Sequence, residues 1–136
     1  MKTTVTRQPV PEHQRINITG KLFGLYFPFS LEPFVFSLTE GMSRDYRGGY
    51  WEFYTLSNGG FYMAPKNNGP FHVSCENGFE GTLSADALGI TVCLYAYSHL
   101  SFSDGELAET CAEQYHWLRD YMLEQGEVRQ ILRAID

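Results

Sequence analysis

The sequence has 136 residues, 43% of them hydrophobic and 19% charged, a composition that indicates a globular chain and excludes general disorder. A chain of this length is expected to form a single domain, residues 1–136, with a core that needs neither disulfides nor metals. Its formal charge of −6 is uneven: residues 1–75 hold seven Lys/Arg against five Asp/Glu, and residues 76–136 hold three against eleven. No basic run is present, so we expect no direct nucleic-acid binding.

The cysteines and the first residues of the chain predict a cytoplasmic protein. Cys75, Cys93 and Cys111 are odd in number and 18 residues apart, a spacing that matches no metal-binding or redox motif. We therefore expect reduced and mostly buried thiols. Residues 1–15 lack the apolar core of a signal peptide, and no run of about 18 apolar residues predicts a membrane span.

The N-terminal third predicts two helices after a frayed start. Residues 1–10 are polar and contain Pro9, so we expect them to be frayed. A short helix is expected around Glu12–Ile18. A second helix is expected to begin near Ser30, with an apolar stripe at Phe34, Leu38 and Met42.

Two β-hairpins follow, and the alternation of apolar residues sets the register of each. In the first, Tyr50–Leu56 and Gly60–Pro65 flank a three-residue loop that ends in Gly59, a residue free to adopt positive φ. This register pairs Phe53 with Met63 and Thr55 with Phe61, because a one-residue slip would mix the two faces. The opposite face of the same hairpin then carries four polar or aromatic residues: Tyr50, Glu52, Tyr54 and Tyr62.

The second hairpin is also predicted to have a three-residue loop, Glu76–Gly78. This choice pairs Cys75 with Phe79 and Phe71 with Leu83, whereas a two-residue loop would pair apolar with polar side chains. His72, Ser74, Glu80 and Thr82 then share the polar face.

The remaining residues predict helices. Ser84 is a good N-cap for a buried helix that extends to Leu100, in which Gly89 would permit close packing. Ser103 and Glu106 form a capping-box pattern before a further helix, whose buried stripe runs from Leu107 to Met122, and a short helix ends the chain. The predicted class is α+β, a single domain with an antiparallel sheet of about four strands, in two hairpins, packed against several helices.

Few residues suggest catalysis or a cofactor. His72, Ser74 and Glu80 share one predicted sheet face and form the best candidate for a hydrolase site, although polar residues on a solvated sheet face are ordinary. Glu113 and His116 resemble half of a carboxylate-bridged metal site, but the other half is absent from the sequence. No Gly-rich phosphate-binding motif occurs. We expect no enzyme activity, no metal and no cofactor.

Acidic residues on the penultimate helix form an exposed stripe that spans roughly 27 Å. A row of carboxylates can imitate DNA phosphates, although a net charge of −6 is low for imitation of a duplex and a solvated helix face is the more common explanation. The stripe consists of Glu106, Glu109, Glu113, Asp120 and Glu124.

One long segment, GGYWEFYTLSNGGFYMAP from Gly48 to Pro65, closely resembles the signature of KlcA/ArdB-type antirestriction proteins. Glu12–Arg15, the LSADALGI run from Leu83 and the YHWLRDY run from Tyr115 agree with the same family in order and spacing. The resemblance implies a plasmid- or island-borne protein that protects incoming DNA from type I restriction enzymes inside the bacterial cell. It also implies a mixed α/β fold and a family distinct from the strongly acidic DNA mimics, and it assigns no catalytic residues.

The resemblance and the residues together favour an inhibitor that binds a protein, either the type I restriction complex or a host factor acting with it. The alternatives are a DNA mimic that uses the acidic stripe and, with less support, a hydrolase at His72, Ser74 and Glu80. Aromatic and Arg residues contribute most of the binding energy at protein interfaces. The predicted partner-binding residues are therefore Arg15, Glu32, Tyr50, Glu52, Tyr54, Asn58 and Tyr62.

Overall fold

The computed structural model, which describes residues 4–136, contains five strands and five helices. A 3-10 turn at Glu12–Gln14 precedes the first helix, and a π-helical turn at Phe27–Leu31 leads into the second. The strands are β1 Arg7–Pro9, β2 Trp51–Leu56, β3 Phe61–Pro65, β4 Pro70–Ser74 and β5 Glu80–Ser84. The helices are α1 Arg15–Phe23, α2 Glu32–Met42, α3 Ala85–Leu100, α4 Glu106–Met122 and α5 Val128–Ile135. The predicted α+β class is confirmed.

The strands form two sheets, which corrects the expected single sheet of about four strands. The first sheet has the order β1–β2–β3 and the second pairs β4 with β5, all antiparallel. The additional strand, β1, lies within the segment that was expected to fray. That expectation is wrong for residues 7–10, because Val10 is buried and its N–H donates to Phe53 O at 2.8 Å. Residues 1–3, which belong to the same expectation, lie outside the described part of the chain.

Both predicted hairpin registers are confirmed. Each three-residue loop ends in a glycine with positive φ, 102° at Gly59 and 94° at Gly78, a conformation that costs other residues a steric penalty. The cross-strand partners match the expected ones: Phe53 with Met63, Thr55 with Phe61, and Phe71 with Leu83. At the end of the second hairpin the Cys75 N–H donates to Phe79 O at 2.9 Å.

Helices α3 and α4 seal the free edge of β3, which would otherwise leave buried backbone groups unpaired. The Phe61 N–H donates to Gln114 Oε1 at 2.8 Å, and the Tyr97 hydroxyl donates to Phe61 O at 2.8 Å. Gly89 makes this contact close: a Cβ at that position would lie 2.5 Å from Ala64 Cα. The expected role of Gly89 in close packing is confirmed.

The Phe-rich region near the N-terminus forms a bent helical pair. Helical backbone already begins at Phe27 rather than at Ser30, and Val35, Thr39 and Met42 are the residues of α2 that are buried. No single helix in residues 4–136 is long and apolar enough to cross a membrane; the pair Glu12–Phe23 and Phe27–Met42, bent by 94°, meets the length and composition requirement jointly. Its Phe23, Phe27, Leu31 and Val35 side chains pack in the core.

Candidate functional site

The turn between α1 and α2 directs some apolar side chains inward and others to solvent. Gly24, at φ 60°, ends α1 and donates its N–H to Gly20 O at 2.9 Å. Phe27 then enters the core between the rings of Phe53 and Phe61, and only 4% of it is exposed. Its neighbours face outward in consequence, with Leu25 exposed by 73% and Phe29 by 76%.

Beside this turn lies an apolar cavity of about 450 Å³, which we call the Arg15 groove. Ile16, on the first turn of α1, is 87% exposed at its margin. Monomeric proteins rarely group several large apolar side chains on one exposed surface unless that surface binds something. The groove is lined by Arg15, Ile16, Thr19, Gly20, Gly24, Leu25, Phe27, Pro28, Glu32 and Phe53.

Arg15 is held in a fixed position between α1 and the first sheet. Its Nη2 donates to the Tyr50 hydroxyl at 2.9 Å and to Trp51 O at 2.7 Å. The guanidinium also lies 4.1 Å from the ring centroid of Phe53 and 4.7 Å from that of Tyr50, which are favourable cation–π distances. Its Nε is buried without a hydrogen-bond partner among residues 4–136. The groove therefore contains a rigid cation whose hydrogen bonding is incomplete.

Glu32 contributes the opposite charge to the groove. Burial raises the pKa of this carboxyl, and the nearby positive charge of Arg15 partly opposes that effect. Within the described chain Glu32 forms no ion pair, since its carboxylate is more than 4 Å from any Lys or Arg nitrogen. The carboxylate is thus a partly desolvated acceptor that a bound partner could satisfy.

The structure brings only part of the predicted partner-binding set together. Arg15 and Glu32 line the groove, and Tyr50 packs against Arg15 with 45% of its surface exposed. Tyr54 and Tyr62 stack on each other at 5.0 Å on a different part of the sheet. The predicted single surface is therefore divided in two.

Tyr62 is a correction to that set, because its side chain is completely buried and offers nothing to a partner. Its hydroxyl donates to Asp86 Oδ1 at 2.7 Å and accepts from Arg7 Nη1 at 2.7 Å. Burial, and after it the negative charge of Asp86, raises the pKa of Tyr62 well above its ordinary value, so the hydroxyl stays protonated. We call this polar group the Tyr62 cluster; it comprises Arg7, Tyr54, Tyr62, Asp86 and Tyr121.

Asn58 and Glu52 have local roles. Asn58 uses both ends of its amide within the fold, since Nδ2 donates to Trp117 O at 2.9 Å and Oδ1 accepts from the Gly60 N–H at 3.1 Å. It therefore fastens the hairpin to α4 instead of extending from its tip. Glu52 is half-buried and lies 3.6 Å from Lys66 Nζ.

The residues that sequence reasoning missed are the exposed apolar ones: Ile16, Leu25 and Phe29. The signal was available in the Phe-rich stretch from Phe23, which holds more aromatic residues than one helix face can bury. Without knowledge of the bend at Gly24, those that face outward could not be separated from those in the core.

The two alternative sites have different geometries. All five carboxylates of the acidic stripe are exposed on α4 and the turn after it, and Glu124 Oε1 accepts from the Val5 N–H at 3.2 Å. His72 Nε2 lies 3.1 Å from Glu80 Oε1 on an exposed surface, but no hydrogen bond joins His72 to Ser74 in residues 4–136. A nucleophile needs its base within hydrogen-bond reach, so the described geometry gives the hydrolase hypothesis no support. No cluster of three metal-ligating side chains occurs in the same part of the chain.

Known proteins resemble this chain in sequence and in structure. A family model described as antirestriction protein matches residues 44–136. Antirestriction protein KlcA of Escherichia coli is 36% identical over 97% of this chain and 95% of KlcA, and YafX of Escherichia coli K12 is 39% identical over 97% and 88%. A solved structure superposes with a TM-score of 0.90 at 37% identity, covering 100% of this chain and 98% of that one. It was described with the finding that KlcA and ArdB show a novel fold and antirestriction activity against type I DNA restriction systems in vivo but not in vitro.

Proposed function

Because this chain belongs to the antirestriction protein family, we propose that it protects DNA entering a bacterial cell from type I restriction by binding a cellular protein through the Arg15 groove. The proposed site of action is the cytoplasm, where incoming DNA meets the restriction complex. No catalytic step is part of this mechanism. The partner is either the restriction complex or a host factor that acts with it.

The observation that carries the proposal is the grouping of exposed apolar side chains. Seven large hydrophobic residues are exposed in residues 4–136, and five of them lie in the segment from Ile16 to Phe29 or pack on Arg15. Interfaces place apolar and aromatic residues around a few fixed charged groups, and Arg15 and Glu32 are such groups. These five residues are Ile16, Leu25, Tyr26, Phe29 and Tyr50.

The behaviour described for KlcA and ArdB supports a protein partner over direct action on the enzyme. Activity in vivo but not in vitro is what an inhibitor shows when its target includes a component present in cells and missing from a purified reaction. A DNA mimic would instead compete for the DNA-binding groove of the purified enzyme, most strongly at low salt.

The test compares variants of the groove with a matched exposed position elsewhere. Leu25→Asp with Phe29→Asp places one charge in the groove lining and one on the adjacent exposed turn. Both side chains are mostly exposed, so folding should persist while protection of unmodified phage DNA falls by at least about tenfold, the effect of about 1.4 kcal/mol. Leu123→Asp is the control, because Leu123 is an exposed apolar residue that lies outside the groove. Plating efficiency on a restricting host, with equal soluble expression, is the measurement. Full protection by the double variant would reject the groove as the binding site.

Mimicry through the acidic stripe remains the second candidate, since its five carboxylates all face solvent. Combined Glu106→Gln, Glu109→Gln and Glu113→Gln removes three charges from exposed positions. Loss of protection by this variant, with the groove variant still active, would favour mimicry. Retention of protection by the triple variant and loss by the groove variant would favour protein binding.

A further inference from the structure

A second cavity of the described chain lies on the opposite side of α2 from the Arg15 groove, and antirestriction by the mechanism above makes no use of it. It encloses about 570 Å³ where α2, α3, the β4–β5 hairpin and the C-terminal helices meet. This volume lies within the range of about 300–1,000 Å³ that is typical of small-molecule sites. We call it the Glu76 cavity.

Aromatic rings supply much of the wall. Phe34 of α2 and Tyr95 of α3 line it, as do Tyr115 of α4 and Phe102 of the loop between α3 and α4. Phe102 is 87% exposed, so its ring is open to solvent at the mouth of the cavity and to any ligand that enters there. Ring faces carry negative electrostatic potential and attract cations within about 6 Å of the ring centroid.

The fixed charge of the cavity has one sign. Glu76, on the three-residue loop of the second hairpin, is the only Asp, Glu, Lys or Arg among the lining residues. It has no ion-pair partner within residues 4–136. The remaining polar lining residues are hydroxyl-bearing side chains and His99, whose ring lies 5.0 Å from that of Phe34.

The Tyr95 hydroxyl on the wall of this cavity is neutral. Burial, and after it Cys75 and the negative charge of Glu76, raises the pKa of Tyr95 to about 12. The Tyr95 hydroxyl therefore stays protonated and donates to Ala134 O at 2.7 Å, while its oxygen lies beside the Cys75 thiol. A ligand in this cavity meets ring faces, hydroxyl oxygens and one carboxylate.

We propose that the Glu76 cavity binds an organic ammonium group, held by the aromatic rings and paired with the Glu76 carboxylate. An anion would face an unpaired carboxylate with no Lys or Arg in the lining, and a purely apolar ligand would leave Glu76 partly desolvated without a partner. An ammonium with alkyl substituents satisfies both the rings and the carboxylate. Its source is either a free small amine or a Lys side chain of another protein.

Choline and its uncharged isostere 3,3-dimethylbutan-1-ol test the proposal directly, because they share one shape and differ in charge. Each is titrated into the full-length protein and followed by amide NMR shifts at Ser98 and His99. We expect choline to bind at least about tenfold more tightly than the isostere, as cation–π and charge pairing together predict. Equal binding of the two, or no shift at these residues with either choline or Nα-acetyl-lysine amide, would overturn the proposal.

Variants assign the effect to this cavity. Glu76→Gln and, separately, Phe102→Ala should each weaken ammonium binding by about threefold or more while the melting temperature is unchanged, since both residues are exposed. Glu40→Gln is the control, because Glu40 is an exposed carboxylate of α2 that does not line the cavity. If Glu76→Gln and Glu40→Gln bind the ammonium ligand equally strongly, the assignment of binding to the Glu76 cavity is contradicted. Preference for Nα-acetyl-lysine amide over choline would identify a protein side chain as the source, and the reverse preference a free amine.

Discussion

The two sides of the first sheet use the same kinds of residue in opposite ways. Toward α3 and α4, the buried Tyr62 hydroxyl and the backbone groups of Phe61 at the sealed edge of β3 find their hydrogen-bond partners within the fold. Toward α1, Arg15 and Glu32 stay incompletely paired beside apolar side chains that solvent reaches. Two Tyr residues of the same hairpin region therefore differ: Tyr62 is buried and hydrogen-bonded on one side, and Tyr50 is partly exposed beside Arg15 on the other.

Helix coverage causes this difference. Asp86, at the start of α3, and Tyr121, near the end of α4, close over Tyr62, whereas the bend at Gly24 leaves Leu25 and Phe29 exposed near Arg15. Buried polar groups cost free energy unless they are paired, so a closed region must be complete, and an open one can leave its pairing to a partner. Substitutions on the two sides should accordingly have different consequences.

The largest expected effect on stability comes from adding one methyl group at Gly89, on the side that α3 and α4 cover. Gly89→Ala places a Cβ 2.5 Å from both Ala64 Cα and Met63 O, which are backbone atoms that cannot move without displacing β3. We expect the free energy of unfolding to fall by about 2–3 kcal/mol despite the better helix propensity of Ala. Urea unfolding followed by circular dichroism measures it.

Gly20→Ala is the matched control, because a Cβ on this α1 residue has no atom within 4 Å and its φ is ordinary for a helix. The same change there should raise the free energy of unfolding by about 0.5–1 kcal/mol. Equal effects at the two glycines would contradict the distinction between a closed and an open side.

A smaller loss is expected from the hydroxyl at the centre of the Tyr62 cluster. Tyr62→Phe removes the group that donates to Asp86 and accepts from Arg7 while it keeps the buried ring, so we expect a loss of about 1–2 kcal/mol in the free energy of unfolding. Tyr54→Phe controls for the chemistry of the change, since the Tyr54 hydroxyl has no hydrogen-bond partner in residues 4–136. Thermal and urea unfolding measure both variants. An equal loss in the free energy of unfolding for Tyr62→Phe and Tyr54→Phe would refute the stabilising role of the Tyr62 hydroxyl.

The fold could be predicted from the sequence where local patterns determine it. The hairpin registers follow from alternation and from Gly59 and Gly78, and the cap at Ser84 is confirmed, with its hydroxyl accepting from the Ala87 N–H at 3.1 Å. The strand at Arg7–Pro9 was missed because its three residues are all exposed and carry no apolar pattern; the Arg7 contacts that hold it are distant in sequence.

The candidate site was predictable only in part, for a related reason. Arg15 lies beside both Glu32 and Tyr50 in the structure, but alternation along a strand cannot tell an exposed face from one that a helix covers. Tyr54 and Tyr62 were therefore assigned to the same surface as Tyr50. The packing of α3 and α4 over Tyr62, which depends on residues more than 20 positions away, separates them.

The smallest expected effect concerns the carboxyl of Glu32 and its dependence on pH. Because burial raises the pKa of Glu32 in the folded protein above its ordinary value of 4.5, the folded state binds this proton more tightly than the unfolded state does. The wild-type protein should therefore lose stability through this group as the pH rises from the unfolded pKa through the raised folded pKa. Glu32→Gln removes that loss, so its melting temperature relative to the wild type should rise over the same interval and then level off.

Glu40→Gln, on the exposed surface of α2, is the control and should show no such trend. A difference between Glu32→Gln and wild type that stays constant with pH would mean that Arg15 offsets the desolvation of this carboxylate, and one that falls as the pH rises would mean that Arg15 outweighs it. In either case the groove would be internally paired. The comparison between the two sides of the sheet would then fail at its most specific point, since Glu32 would no longer be an acceptor left for a partner. A rise with pH would instead mark the groove as the one described region that keeps a charged group at a cost to its own stability, which is what a surface selected for binding requires.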